Sequence, residues 1–192
     1  IHEDVFDNFV KELVSATNKI CIGAGLIRES DMSCLASKQQ LNQIQEYVEI
    51  GLTEGATLLT GGKQIIEKGY ADGYFFQPTI FKDVATNMRI AKEEVFGPVL
   101  TLFKCQNIDE AITISNDCEF GLSSSVYTEN IHKAFTYIEQ IETGIIHVNS
   151  PTLGGEVHMP FGGIKSSGIG NREQGLEAIE FFTEIVSVYI SH

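Results

Sequence analysis

The thiols and imidazoles of this chain are scattered, and their spacing predicts no metal centre. No two of the cysteines, Cys21, Cys34, Cys105 and Cys118, have the Cys-X-X-Cys spacing of a zinc site or a redox dithiol. Any one of them could be a nucleophile, but none carries a local signature, so buried inert thiols are expected. The five histidines also lack metal-ligand spacing, and only His158 is of interest, because it lies in a glycine-rich loop.

Two carboxylates, Glu93 and Glu94, stand next to each other in the sequence. Adjacent residues do not share a helix face, so a paired acid and base is not expected, and Glu93 should point away from Glu94. What remains is a single functional carboxylate, followed by the aromatic Phe96 and a Gly97-Pro98 turn.

The glycine-rich segments do not complete a phosphate-binding motif. Gly23 and Gly25 begin a dinucleotide fingerprint, but Arg28 stands where its third glycine belongs. Lys165 follows a glycine pair without the fixed spacing of a phosphate loop. These glycines are therefore expected to serve turns.

The elements that must position these residues alternate between helix and strand. Helical spacing of apolar residues predicts helices over residues 5–20, 39–52, 130–141 and about 172–181, a helix capped by Asp109 that runs to about 116, and a helical turn near 86–90. Short apolar runs predict strands at 56–59, 99–103, 123–128 and 185–190 and a buried strand at 145–148. Segment 74–81 contains Pro78 and is expected to be extended rather than a central strand, and 63–73 and 149–170 are expected loops.

This alternation predicts an α/β fold, a layered domain with a largely parallel sheet flanked by helices. We expect one domain over residues 1–181, and a strand within 182–192 that leaves the body to pair elsewhere. The expected apolar faces are Leu41, Ile44, Val48 and Leu52 on the second helix, and Ile131, Ala134, Phe135 and Ile138 on the helix over 130–141.

Size and charge narrow the class of protein. A chain of 192 residues buries about 70% of its surface on folding, enough for a core without disulfides or metals. With 13 basic and 26 acidic residues the net charge is −13, which disfavours nucleic acids and anionic membranes as partners. The apolar runs are too short for a membrane helix.

Sparse cysteines and the absence of a signal-peptide pattern favour a location in the cytoplasm. The chain starts at Ile1, inside an amphipathic pattern, which suggests a piece of a longer protein.

Several motifs, taken in order and spacing, closely resemble the aldehyde dehydrogenase superfamily over essentially the whole chain. They are EEVFGPV at 93–99, Asn116 with FGLS at 120–123, GIIHVN at 144–149, PFGGIKSSG at 160–168 and REQG at 172–175, together with QPT at 77–79 and FTE at 182–184. In that family a cysteine thiolate attacks the aldehyde, a hydride passes to NAD or NADP, and water activated by a glutamate cleaves the thioester.

The resemblance implies roles for five residues. Glu94 matches the glutamate that holds the nicotinamide-ribose hydroxyls, and Phe96 matches the aromatic beside the nicotinamide ring. Gln40 stands where the family often has a glutamine near the same ribose. Asn149 begins the loop that shapes the aldehyde entrance, and Phe161 matches an aromatic that lines it. The strand at 185–190 matches one that pairs with another subunit, which implies a homo-oligomer.

The resemblance also implies what the chain lacks. The family's nucleophile lies shortly before the first helix, and its general-base glutamate, oxyanion-hole asparagine and Rossmann domain lie further upstream. We therefore expect a C-terminal part of the catalytic domain that is inactive alone, with no catalytic residue of its own.

The tail from His147 to Glu184 most resembles semialdehyde dehydrogenases of sugar-acid breakdown, which oxidise 2,5-dioxopentanoate to 2-oxoglutarate. Two alternatives stay open: a non-catalytic oligomerisation or scaffold module, and a binding module that reuses the fold.

Overall fold

Helices lie on both faces of a small sheet in the first part of the chain. The computed structural model describes residues 1–67, 69–70 and 72–192, which divide into two compact units, Ile1–Ala111 and Ile112–His192. The first unit contains α1 (Glu3–Thr17), α2 (Lys38–Thr53), β1 (Thr57–Thr60), β2 (Thr79–Lys82), α3 (Arg89–Lys92) and β3 (Val99–Thr101). Strand β2 lies between the other two, antiparallel to β1 and parallel to β3.

The alternation of side chains along β2 builds two cores. Ile80 packs with Phe6 of α1 on one face of the sheet, and Phe81 packs with Ile44 of α2 on the other. The two helices therefore cover opposite faces, and the α/β layering predicted from the sequence is confirmed.

Helix α2 begins at an N-cap serine and buries most of its predicted face. The hydroxyl of Ser37 accepts a hydrogen bond from the backbone N–H of Gln40 at 3.1 Å. Leu41, Ile44 and Val48 are buried as predicted, but Leu52 is 48% exposed, so its placement in the core was wrong. Gly51 occupies the buried position of the last turn instead, against the side chain of Ile90.

Segment 74–81 was wrongly predicted to lack a central strand, since β2 occupies the middle of its sheet. The strand begins at Thr79, directly after Pro78, so the missing N–H of proline removes no bond from the ladder. The predicted loop at 63–73 includes two residues, 68 and 71, that lie outside the described part of the chain.

The second unit has shorter elements. Helix α4 (Ile108–Asn116) crosses the boundary, and it is followed by β4 (Phe120–Gly121), β5 (Ser123–Val126), α5 (Ile131–Gln140), β6 (Ile145–Val148), β7 (Ile164–Lys165) and α6 (Glu177–Phe182). Strands β5 and β6 pair in parallel, and β4 and β7 pair antiparallel. Parallel and antiparallel pairings are thus mixed within the α/β class.

The N-caps of α4 and α5 are both asparagines. The side-chain oxygen of Asn107 accepts from the backbone N–H of Glu110 at 2.9 Å, so the cap predicted at Asp109 was wrong and Asp109 lies in the first turn. Asn130 caps α5 by accepting from the N–H groups of His132 and Lys133.

Much of the apolar surface predicted to be buried in the second unit is exposed. On α5 only Ala134 of the predicted face is buried, joined by Tyr137, whereas Ile131, Phe135 and Ile138 are exposed. Strand β6 is half-buried rather than buried. Residues 183–192 form neither helix nor strand in this chain, so the strand predicted at 185–190 is not formed here.

Among the described helices, none combines the length and apolarity needed to cross a membrane. No three histidine, cysteine, aspartate or glutamate side chains of the described residues are grouped so as to hold a metal ion.

Candidate functional site

A short loop, residues 93–97, carries the central motif of the first unit. It begins where α3 ends, with Glu93 in extended conformation (φ −98°, ψ 149°). Extended backbone at Glu93 turns the side chains of Glu93 and Glu94 to opposite sides. Val95 packs against the core of the first unit, whereas Glu94 is exposed and Phe96 is 70% exposed. The loop therefore presents a carboxylate and an aromatic ring outward from a backbone anchored between them.

Glu93 is fully engaged on the other side of this loop. Its two carboxylate oxygens accept from Nε and a terminal nitrogen of Arg89, both at 2.8 Å, and one also accepts from the Tyr47 hydroxyl at 2.6 Å. These hydrogen bonds, the one from Arg89 first, lower the pKa of Glu93 to about 2, and the bond to Glu93 raises the pKa of Tyr47. Glu93 and Glu94 thus point apart, as expected, and Glu93 anchors the end of α3 to α2.

Gln40 is brought to the same loop but contacts its backbone. Its Nε2 donates to the carbonyl of Phe96 at 2.7 Å, and its Oε1 accepts from the backbone N–H of Ala36 at 2.9 Å. Phe96 has φ +53°, a left-handed conformation that is costly for an aromatic residue. Glu94, Phe96 and Gln40, the three residues assigned to the cofactor, therefore lie on one local structure, with the Gln40 amide bonded to main chain.

The next residue, Gly97, is required by close packing. A Cβ at this position would overlap the side chain of Ile44, which is itself fully buried. Any larger residue would push the loop away from α2.

In the second unit, Asn149 lies at the end of β6 with φ +55° and is exposed. Its side-chain oxygen accepts from the backbone N–H of Thr128 at 2.8 Å, and its side-chain nitrogen donates to the carbonyl of Thr128 at 3.0 Å. Both halves of the amide are therefore engaged in holding the start of the following loop beside the end of β5.

Phe161 lies in an open cavity of about 330 Å³ that is lined by Leu122, Phe161, Gly162, Gly163, Ser166, Ser167, Gly168, Ile169, Asn171 and Glu173. The Phe161 carbonyl accepts from the backbone N–H of Glu173, another lining residue, at 3.0 Å. A partly exposed aromatic ring beside serine hydroxyls and one carboxylate gives this cavity a mixed polar and apolar wall.

The glycines of this region let backbones touch. A Cβ on Gly144 would overlap the carbonyl oxygen of Gly162, and one on Gly168 would overlap the carbonyl oxygen of Gly163. Close packing therefore requires glycine at both positions. Gly144 lies beyond the end of α5 at Gln140, and its close approach to Gly162 explains the glycine.

Two basic residues that sequence reasoning left without a role hold the glycine-rich loop. Nζ of Lys165 donates to the carbonyls of Asn116 and Cys118 at 2.8 and 3.1 Å and pairs with the carboxylate of Glu142. Arg172 donates to the carbonyl of Gly163 at 3.0 Å. Lys165 belongs to the motif PFGGIKSSG and Arg172 to the motif REQG, and membership of these motifs was the sequence signal that could have identified them.

The cysteines divide into two groups. Cys105 is buried and Cys118 is half-buried, but Cys21 and Cys34 are exposed, so the expectation of burial was wrong for these two. Both lie in the irregular connection between α1 and α2. His158 is exposed in its loop.

Comparison with known proteins identifies the family to which these motifs belong. The model of the aldehyde dehydrogenase family matches residues 1–188. The chain is 42% identical over 190 residues to the alpha-ketoglutaric semialdehyde dehydrogenase of Bacillus subtilis, and 39% identical over 193 residues to the alpha-ketoglutarate semialdehyde dehydrogenase of Haloferax volcanii. These alignments cover 99% and 100% of this chain, but it spans only 39% and 40% of the length of the two relatives.

A solved structure is similarly close. The crystal structure of betaine aldehyde dehydrogenase from Staphylococcus aureus in complex with NAD+ superposes with a TM-score of 0.90 at 34% identity, covering 94% of this chain and 36% of that one. The family match over nearly every residue, with the fold and motif geometry described above, leads to one conclusion: the chain belongs to the aldehyde dehydrogenase family.

Proposed function

We propose that this chain supplies the nicotinamide-facing loop and part of the aldehyde entrance of an NAD- or NADP-dependent aldehyde dehydrogenase, which oxidises an aldehyde or semialdehyde to a carboxylic acid. The observation that carries the proposal is the 93–97 loop, in which Glu94 and Phe96 face outward while Glu93 and Val95 are anchored.

The groups on this loop fit the nicotinamide half of the cofactor. A carboxylate such as Glu94 can accept hydrogen bonds from both hydroxyls of a ribose, and these charge-assisted bonds are stronger than neutral ones. The exposed ring of Phe96 offers an apolar wall against which a flat ring can rest. When bound, the cofactor accepts a hydride, and the task of these residues is to hold its reactive ring in one orientation.

The substrate that we favour is the semialdehyde 2,5-dioxopentanoate, which would be oxidised to 2-oxoglutarate. The support is the names of the Bacillus subtilis and Haloferax volcanii relatives, which are alpha-ketoglutaric and alpha-ketoglutarate semialdehyde dehydrogenases. Within this chain Phe161 is the residue that we assign to the aldehyde entrance, because its ring lines the open cavity of the second unit. We assign Asn149 to positioning the loop after β6.

The thiolate and the general base of the reaction are proposed to come from residues outside this chain, which on its own should be inactive. We place the enzyme in the cytoplasm as a homo-oligomer that pairs through residues 185–190, whose apolar side chains are exposed. That exposed tail is also the observation that favours the alternative, a module whose only task is assembly.

Replacing Glu94 by glutamine in the full-length enzyme tests the proposal. The amide keeps the size of the side chain but loses its charge, and hydrogen bonds to charged groups are worth about 1.5–3 kcal/mol, so we expect hydride transfer to slow about tenfold or more. Affinity for NAD should fall less, because the rest of the cofactor still binds. Single-turnover formation of NADH and cofactor titration measure the two effects.

Glu46 provides the matched control, since it is exposed on α2 and Glu46→Gln makes the same chemical change. Glu93 is unsuitable, because its carboxylate is bonded to Arg89 and Tyr47. Equal single-turnover rates for Glu94→Gln and Glu46→Gln would contradict the assignment of Glu94 to the cofactor.

A further inference from the structure

Three residues of α2 touch the 93–97 loop at three different points. Tyr47 donates to the Glu93 carboxylate at 2.6 Å, and Gln40 donates to the Phe96 carbonyl at 2.7 Å. Ile44 lies against Gly97 so closely that no Cβ fits between them. The positions 40, 44 and 47 are spaced as i, i+4 and i+7, which places them on one face of the helix.

The contacts act on the two ends of the loop. At the first end, Arg89 of α3 forms a two-point ion pair with Glu93 and lies 5.5 Å from the centre of the Tyr47 ring. At the other end, the hydrogen bond from Gln40 acts on Phe96 itself, the residue with φ +53°. A strained backbone conformation persists only where the surroundings hold it, and the Gln40 amide contacts the strained residue directly.

Both the oxygen and the nitrogen of the Gln40 side-chain amide are hydrogen-bonded to backbone. Its oxygen accepts from the backbone N–H of Ala36, just before the helix, so the amide group cannot rotate without losing that bond. Its nitrogen is thereby fixed toward the Phe96 carbonyl. A side chain held this way acts on the loop backbone.

We infer that Gln40 and Tyr47 are positioning residues that hold the 93–97 loop from its two ends, so that Glu94 and Phe96 meet the nicotinamide half of the cofactor in one fixed orientation. The inference rests on the proposed function for its catalytic consequence, but the holding of the loop stands on contacts within this chain alone. Neither residue needs to touch the cofactor.

The first test measures the loop without any cofactor. Gln40→Glu keeps the oxygen that accepts from Ala36 but sets an acceptor against the Phe96 carbonyl, so the loop should be released. The backbone N–H groups of Glu93 and Val99 donate to the carbonyls of Arg89 and Gly97 and so report on the two ends of the loop. Hydrogen exchange of the peptide that contains residues 93–99, in the full-length protein, should quicken about fivefold. Gln39→Glu, the same change at the exposed neighbouring position, should leave this exchange at the wild-type rate.

The second test separates positioning from direct binding. We expect Gln40→Glu to slow single-turnover hydride transfer about tenfold while the Kd for NAD changes less than about threefold. Since both residues act through one loop, adding Gln40→Glu to Glu94→Gln should slow the reaction by less than about twofold further. Tyr47→Phe, which keeps the ring but removes the hydroxyl, should change exchange and rate in the same direction and serves if Gln40→Glu does not fold.

The outcomes are distinguishable. Unchanged loop exchange in both Gln40→Glu and Tyr47→Phe would overturn the inference, as would rate losses of Gln40→Glu and Glu94→Gln that multiply fully. A wild-type rate for Glu94→Gln would overturn the proposed function instead, and the exchange measurement would still decide whether α2 holds the loop.

Discussion

At the scale of single residues, Glu93 and Glu94 show how neighbouring carboxylates diverge in role. Glu93 has a pKa near 2 instead of 4.5 because Arg89 and Tyr47 donate to it, so folding favours its ionised form. A carboxylate with a lowered pKa stabilises the fold above its ordinary pKa, and this contribution is lost as pH falls toward the folded value. We expect Glu93→Gln to lower the midpoint of thermal unfolding at pH 7.

The pH dependence identifies the cause of that loss. The difference in unfolding midpoint between wild type and Glu93→Gln should be constant above about pH 5 and should shrink between pH 4.5 and 2, where Glu93 itself becomes protonated. Thermal scans by circular dichroism across this range measure it, with Glu46→Gln as the exposed control. A difference that stays equal at every pH would mean that the ion pair is not what stabilises the end of α3.

The hydrogen-bond partners of single side chains could be predicted from the sequence only in part. The divergence of Glu93 and Glu94 follows from adjacency alone, and so it could be predicted. That Gln40 contacts a carbonyl 56 positions away, and that Asn149 pairs with Thr128, could not, because these bonds depend on backbone positions set by tertiary packing. Residue type indicates hydrogen-bonding capacity, but it does not indicate the partner.

Among the helices and strands, the spacing of apolar residues correctly predicted the core that α2 forms with β2 and its neighbours in this chain. Leu41, Ile44 and Val48 are buried because β2 and its neighbours supply the opposing face. On α5 the same kind of spacing predicted a buried face, yet Ile131 and Phe135 are exposed. The spacing of apolar residues indicates that a helix has an apolar face, but it does not indicate what covers that face.

The close approach of Gly144 to Gly162 gives a prediction at this scale. Gly144→Ala would drive a methyl group into a backbone carbonyl, which cannot move aside as a flexible side chain would. Overpacking of this kind costs about 2 kcal/mol or more, so the free energy of unfolding should fall by at least that amount. Chemical denaturation measures the change.

Gly155→Ala is the matched control for this prediction, because nothing lies within 4 Å of a Cβ at that position and its φ is not positive. Its effect should stay within about 0.5 kcal/mol. Equal effects of Gly144→Ala and Gly155→Ala would show that the glycine-rich loop does not pack against the start of β6 as described.

At the scale of the whole molecule, the last residues carry apolar side chains that the chain leaves uncovered. Val186, Val188 and Ile190 are 78%, 74% and 81% exposed, and they alternate with Ser187 and Tyr189 as in a strand with one apolar face. An extended segment with unpaired backbone groups and an apolar face is a template for pairing with another chain. This is the physical basis for proposing that the segment joins subunits.

Replacing both valines by glutamate tests this role. Because these side chains bury little surface within their own chain, Val186→Glu with Val188→Glu should not destabilise the fold of a single chain. In the full-length protein two charges placed in a subunit interface should instead lower the assembled fraction strongly, since buried unpaired charges are costly. Sedimentation velocity measures the mass distribution, and Ser187→Glu, a change on the alternate side of the segment, should leave it as in wild type. An unaltered mass distribution for the double variant would show that assembly does not use this segment.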